Sequence, residues 1–210
     1  MGVVAVDPSS MRSGGALLGD RARMAFDPGD QGLFVRSLAT QGALGGLAHA
    51  THAAVEVLAS AYDIVLVETV GVGQTEVAVT HVADTVVLVV QPGSGDVLQF
   101  LKAGVMEIPD LLVVNKADHG PTATRAASDL KAALSTLRQV GAGEGDQEVI
   151  LTSARDHAGI DALADALVKH ARVLGPAGIL ARRHAGRVEW ASNWLERSVG
   201  SVGIEALGGV

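Results

Sequence analysis

Five short apolar runs punctuate the chain: Val3 to Val6, Ile64 to Val67, Val86 to Val90, Leu111 to Val114 and Val149 to Leu151. None alternates apolar with polar residues. Unbroken runs of Val, Ile and Leu mark strands covered on both faces, as in a parallel sheet between helices. The segments between them carry helical spacing. Leu47 to Ala59 places Leu47, Val55 and Leu58 among alanines, and Val97 to Met106 is a second amphipathic stretch. Thr124 to Leu137 sets Leu130, Leu134 and Leu137 on one stripe, and Ile160 to Val173 does the same with Ile160, Leu163, Leu167 and Val168. A further helix is expected to start near Thr75. Strands alternating with helices predict right-handed βαβ units. Gly141 to Asp146 reads as a glycine-rich surface loop. Gly175-Pro176 is expected to break the chain, leaving residues 1–174 as the domain and 175–210 as a helical arm.

Composition narrows the chemistry. With 48% hydrophobic and only 3% aromatic residues, the core must be packed from Val, Leu and Ala. There is no cysteine, so disulfides and thiolate metal sites are excluded. A net charge of −7 argues against nucleic acid as a partner. Mean hydropathy is high at +0.32, yet the longest aliphatic run, Val86 to Val90, falls far short of the ~20 apolar residues of a membrane span. The first residues have neither a basic stretch nor a long apolar core, so no signal peptide and a cytoplasmic location are expected.

In an open parallel sheet, ligands bind beyond the carboxyl ends of the strands. Those ends carry Asp7, Glu68, Gln91-Pro92, Asn115 and Thr152-Ser153. The sharpest of them is Asn115-Lys116-Ala117-Asp118, directly after a buried strand. A carboxylate at Asp118 can accept the two N–H donors that guanine offers on one edge and adenine does not. Asn115 can reach the base and tie neighbouring loops, and the stem of Lys116 can lie along the ring face. Sites built on paired hydrogen bonds reject the wrong partner by ~10⁴ or more. The plainer alternative is a helix cap after a strand. Ser153-Ala154, ending the last strand, would present backbone N–H to the guanine carbonyl.

Other strand ends suit phosphate and a hard cation. Glu68, before Thr69-Val70-Gly71-Val72-Gly73-Gln74, can hold a magnesium-bound water, and Gly71 lets a backbone N–H approach a terminal phosphate. Asp7 and Asp20 are a further pair of carboxylates for Mg²⁺, the rival for Asp20 being a surface pair with Arg21 or Arg23. Asp96 is placed to cap the helix that carries Lys102. His49 and His52 lack a third ligand and read as structural. Arg182-Arg183-His184 reads as a solvated helix face.

These residues resemble the MeaB/ArgK-type GTPases. The resemblance runs through Val6-Asp7-Pro8-Ser9-Ser10, Ser13-Gly14-Gly15, Leu18 to Met24, Phe34-Val35-Arg36-Ser37, Gly45-Gly46-Leu47, Glu68 to Gln74, Pro92 to Asp96 and Asn115 to Asp118. It implies a P-loop-NTPase-like α/β fold of the signal-recognition/MinD/BioD class, binding GTP or GDP with Mg²⁺. It implies a chaperone of adenosylcobalamin-dependent acyl-CoA mutases, chiefly methylmalonyl-CoA mutase, that gates cofactor loading and protects or reactivates the mutase. Asp7, Asp20 and Glu68 would be the magnesium and water residues. Gly71, Gly73 and Gln74 would form one switch, and Gln91 to Lys102 another that contacts the mutase. The arm with Trp190, Trp194 and Leu195 would form a homodimer, the alternative being a helix folded onto its own domain.

The sequence departs from that family at one point. No Gly-x-x-x-x-Gly-Lys-Ser/Thr phosphate loop occurs in the 210 residues. An N-terminal truncation is therefore expected, with two unpaired strand edges and impaired GTP hydrolysis. Two other functions fit the same residues: a non-catalytic guanine-nucleotide or partner-binding module, and a nickel-insertion GTPase, which the lack of cysteine disfavours.

Overall fold

A computed structural model describes residues 1–7, 24, 26–27, 29–39, 49–69, 75–93, 108–139, 147–206 and 208. The chain forms two compact units. Residues 1–83 with 185–210 make the first, and 84–184 the second.

In the first unit, strands β1 (Gly2–Asp7), β2 (Phe34–Ala39) and β3 (Val65–Thr69) form a parallel sheet in the order β2-β1-β3. Helix α1 (His49–Ala59) packs Leu58, Ala54 and Val55 against Val4, Val6, Val65 and Val67. Gly2 accommodates this approach, because a Cβ there would meet the Leu58 side chain at 3.3 Å. A short helix, α2 (Thr75–Thr80), starts where the sequence places it. The apolar runs did not reveal β2. Phe34-Val35-Arg36-Ser37-Leu38-Ala39 mixes polar with apolar residues because this strand pairs only with β1.

In the second unit, β4 (Val87–Val90), β5 (Leu111–Val114) and β6 (Glu148–Leu151) form another parallel sheet with β5 central. Helix α3 (Pro121–Gln139) opens on Pro121, whose missing N–H is no loss in a first turn. Its buried stripe, Ala123, Ala126, Ala127, Leu130, Ala133 and Leu134, recurs at three and four residues. That stripe covers Val90, Leu112 and Val114 on one face. On the other face Leu163, Ala166 and Leu167 of helix α4 (Ile160–Ala206) cover Leu111 and Ile150. Every residue of β5 is therefore buried, which is why it is uniformly apolar. The strands thus divide between two three-stranded parallel sheets, one in each unit, where the sequence suggests a single sheet.

The break expected at Gly175-Pro176 is not the end of an element. Helix α4 runs through it, with Pro176 inside and Gly175 at φ +63 absorbing the change of backbone direction. Arg183 and His184 are exposed, as expected of a solvated face, but Arg182 is only partly so and both arginines are paired. Arg182 donates twice to Asp110, at 2.9 Å each, and to the Asp84 carbonyl at 2.8 Å. Arg183 forks onto the Asp84 carboxylate, with Nε at 2.8 Å from Oδ1. Asp110 also caps the Val86 N–H at 2.8 Å and lies 3.2 Å from His170 Nε2. Partial burial opposes ionisation of Asp110, but its bonds to Arg182 and Val86 outweigh it and hold the carboxyl below the ordinary range.

In the first unit His52 is structural, its ring stacked on Trp190 at 4.7 Å between centroids. Arg187 donates to Glu56 at 3.1 Å, and Gly186 fits against the His81 carbonyl, where a Cβ would lie 2.2 Å from the oxygen. Residues 186–190 of α4 thus pack on their own unit. Among the described residues no helix is long and apolar enough to cross a membrane. The stretches 97–106 and 141–146 lie outside the described residues.

Candidate functional site

The carboxyl ends of β4, β5 and β6 build one loop cluster in the second unit. Asn115 N–H donates to Val90 O at 3.0 Å, Thr152 N–H to Val114 O at 2.9 Å, and Ala117 N–H to Thr152 O at 2.8 Å. Residues 115–118 are therefore stitched to both neighbouring strands. Between these ties the chain turns at Lys116, which takes a left-handed conformation (φ 59, ψ 42) before a single 3-10 turn, Ala117–His119. A residue with a Cβ pays about 1–3 kcal/mol for such a position and keeps it only where its surroundings dictate it.

Asn115 joins the loops as the sequence suggests. Its Oδ1 accepts from the Ala154 N–H at 3.2 Å and from the Thr152 hydroxyl at 3.4 Å. The Ala154 N–H, expected to face a base carbonyl, is thus engaged by Asn115. The hydroxyl of Ser153 has a role the sequence did not suggest. It donates to Asp118 Oδ1 at 2.9 Å while accepting from the Asp156 N–H at 3.1 Å. Arg155 Nη1 stands 3.4 Å from Asp118 Oδ2, but its side chain is 79% exposed, so this pair contributes little. The Ser153 bond is the largest influence holding the Asp118 carboxyl below its usual range. Desolvation opposes it, and the charges of His119 and Arg155 add to it. Asp118 is consequently ionised at neutral pH, an acceptor-only group held in a fixed direction. Lys116 Nζ donates to Gln91 Oε1 at 2.7 Å.

The turn that delivers Ser153 depends on two backbone features. Ser153 pairs with Ala158, its N–H donating to the Ala158 carbonyl at 2.8 Å. Gly159 then takes φ +72 with its Cα so close to β6 that a Cβ would lie 2.1 Å from the Leu151 carbonyl.

In the first unit Asp7 is the last residue of β1 and is buried, while Glu68 is exposed near the end of β3. Ala5 stands opposite Glu68, so Asp7 lies two residues further along β1 on the same face of the sheet. Two oxygen donors on one face at the ends of adjacent strands fit a hard cation that keeps most of its waters. Asp20, Gly71, Gly73, Gln74, Asp96 and Lys102 lie outside the described residues. Among the described residues no group of three or more His, Asp or Glu is arranged to hold a metal ion.

Comparison with known proteins agrees with this architecture. A protein of Pyrococcus abyssi carried under the name of a GTPase is 47% identical over 90% of this chain and 59% of its own length. The Escherichia coli GTPase ArgK is 38% identical over 94% of this chain and 60% of its own. The mouse methylmalonic aciduria type A homolog, a mitochondrial protein, is 37% identical over 95% of this chain and 49% of its own. The chain therefore spans roughly half to three-fifths of these relatives. Among solved structures, nickel-bound HypB from Helicobacter pylori superposes with a TM-score of 0.53, covering 80% of this chain and 72% of that one. At 18% identity that likeness shows the α/β fold and nothing finer. The family model for the methylmalonyl-CoA mutase-associated GTPase MeaB matches residues 1–204, and the chain belongs to that family of GTPases.

Proposed function

We propose that residues 115–118 and 153–154 read the guanine base of GTP or GDP, and that the chain works as the guanine-reading part of a GTPase serving an adenosylcobalamin-dependent methylmalonyl-CoA mutase. The observation that carries the base assignment is Asp118, ionised and aimed by the Ser153 hydroxyl. Guanine presents a ring N–H and an exocyclic N–H on one edge, and the two carboxylate oxygens match them. Adenine puts an acceptor where the carboxylate needs a donor. The mutase partner is supported by the family's description and by the name of the mouse relative. Loading of the cobalamin cofactor, with protection or reactivation of the mutase, would be the work done through the nucleotide cycle.

Asp7 and Glu68 would hold Mg²⁺, Asp7 from a buried position and Glu68 from an exposed one, both through waters. Mg²⁺ would supply charge neutralisation for the phosphates. Asp20 and Gln74 would join Glu68 in directing the attacking water, and Gly71 would give a backbone N–H to the terminal phosphate.

A second reading is a module that binds guanine nucleotide without chemistry, since the cluster of Asn115, Asp118 and Ser153 can hold a base without itself supplying a reacting group. Calorimetry with GDP and ADP tests the base assignment, and a GTP hydrolysis assay tests the non-catalytic reading. The account expects GDP to bind in preference to ADP and the 210-residue chain to turn over GTP slowly or not at all. Equal affinity for the two nucleotides would end the guanine assignment, and rapid hydrolysis would exclude the non-catalytic module.

A further inference from the structure

Two consecutive residues at the end of β4 hold two consecutive residues at the end of β5. Val90 does so through its backbone, its carbonyl accepting the Asn115 N–H at 3.0 Å. Gln91 does so through its side chain, Oε1 accepting from Lys116 Nζ at 2.7 Å. An ammonium has only donors, so the Gln91 amide must present its oxygen, and its orientation follows from the partner. The left-handed backbone of Lys116 fixes the direction in which that side chain leaves the loop, and Gln91 fixes where it ends. Both ends of a four-carbon stem are thereby restrained. A free lysine on a surface gives up much rotamer freedom when a ligand orders it, whereas one already tethered gives up less.

We infer that Gln91 is a positioning residue for the base-reading loop: by tethering the Lys116 ammonium it holds the apolar stem of Lys116 as a pre-ordered wall for one face of the purine. The inference rests on the guanine reading of residues 115–118. No contact of Gln91 with the base is proposed, only its bond to Lys116. Its effect passes through Lys116, so replacement should weaken GDP binding without relaxing the choice between guanine and adenine, which belongs to Asp118.

The experiment follows Lys116 and GDP together. Amine acylation of the 210-residue chain by acetic anhydride is located by mass spectrometry, with Lys131 and Lys169 as internal references. Loss of a hydrogen bond of ordinary net strength corresponds to a change of roughly 2- to 10-fold. Gln91→Leu should raise the relative acylation rate of Lys116 by about that factor and weaken GDP by a similar one, with the GDP-to-ADP ratio unchanged. Gln91→Glu, which keeps an acceptor at the same reach, should restore both. If Gln91→Leu leaves Lys116 reactivity unchanged, the tether is absent and the inference fails. If reactivity rises while GDP affinity holds, the tether exists but positions nothing, and the inference again fails. Both failures leave wild-type preference for GDP intact. A wild-type chain that does not prefer GDP over ADP overturns the guanine reading itself, and this inference with it.

Discussion

In the proposed site the Asp118 carboxylate would read guanine only when ionised, and the Ser153 hydroxyl is the largest influence that keeps it so as pH falls. A folded-state pKa depressed below the ordinary value adds stability that is complete above that value. The contribution is lost as pH falls through the depressed one. Asp118 therefore contributes at neutral pH and gives up its contribution only below about 3.8, the ordinary carboxyl value. Ser153→Ala removes the largest lowering influence, so an NMR titration should find the Asp118 carboxyl closer to that ordinary value. A titration identical to wild type would refute the role given to Ser153. Asn115 and Asp118 were legible in the sequence because their residue types and their place after an apolar strand are local facts. The Ser153 hydroxyl was not, because its direction depends on the left-handed turn at Gly159 and on pairing with Ala158. Nothing in the letters Ser-Ala distinguishes a side-chain donor from a backbone one.

At the scale of elements, the legible strands are the uniformly apolar runs, but cover on both faces holds throughout only for β5, since Leu66 of β3, Val89 of β4 and Leu151 of β6 are exposed. The missed strand, β2, places Phe34, Arg36 and Leu38 on one face and Val35, Ser37 and Ala39 on the other, so neither face is uniformly apolar, and its pairing with β1 identifies it. Helix α3 followed from its stripe of Leu and Ala, and the fully buried Leu130 anchors it. Leu130→Ala should cost about 2–5 kcal/mol in a denaturant titration, and a loss under 1 kcal/mol would mean that the stripe does not carry the packing. Gly159→Ala combines a strained φ with a Cβ inside contact distance of the Leu151 carbonyl. It should cost about 2–4 kcal/mol and unseat Ser153. The length of α4 was illegible because Gly-Pro ordinarily ends a helix, and the bonds that secure the far side are to residues 70 to 100 positions earlier. Asp110→Asn removes the nearest counter-charge of Arg182 and leaves it the more distant Asp84, and should cost about 1–3 kcal/mol, less than a fully buried pair would. The same pair predicts an acid limb. Asp110 supports folding above the ordinary carboxyl range and loses that support as pH falls through its lowered value. Stability of Asp110→Asn should therefore respond less to pH than wild type below about pH 4.

For the whole molecule, the α/β class and the family were legible early, because the linking segments resemble the family as well as the motifs do. The division into two compact units at residues 83–84 and 184–185 was not, since no change of composition marks either point. The reading of the chain as a guanine-recognising part of a MeaB-family GTPase makes its hardest prediction through Asp118. A carboxamide offers one acceptor and one donor where a carboxylate offers two acceptors. Xanthine, with a ring N–H beside a carbonyl, matches the carboxamide as guanine matches the carboxylate. The decisive measurement is calorimetric binding of GDP and xanthosine diphosphate to the wild-type chain and to Asp118→Asn. The account predicts that Asp118→Asn weakens GDP by roughly 100-fold or more and reverses the preference in favour of xanthosine diphosphate. Unchanged preference for GDP in Asp118→Asn would contradict it.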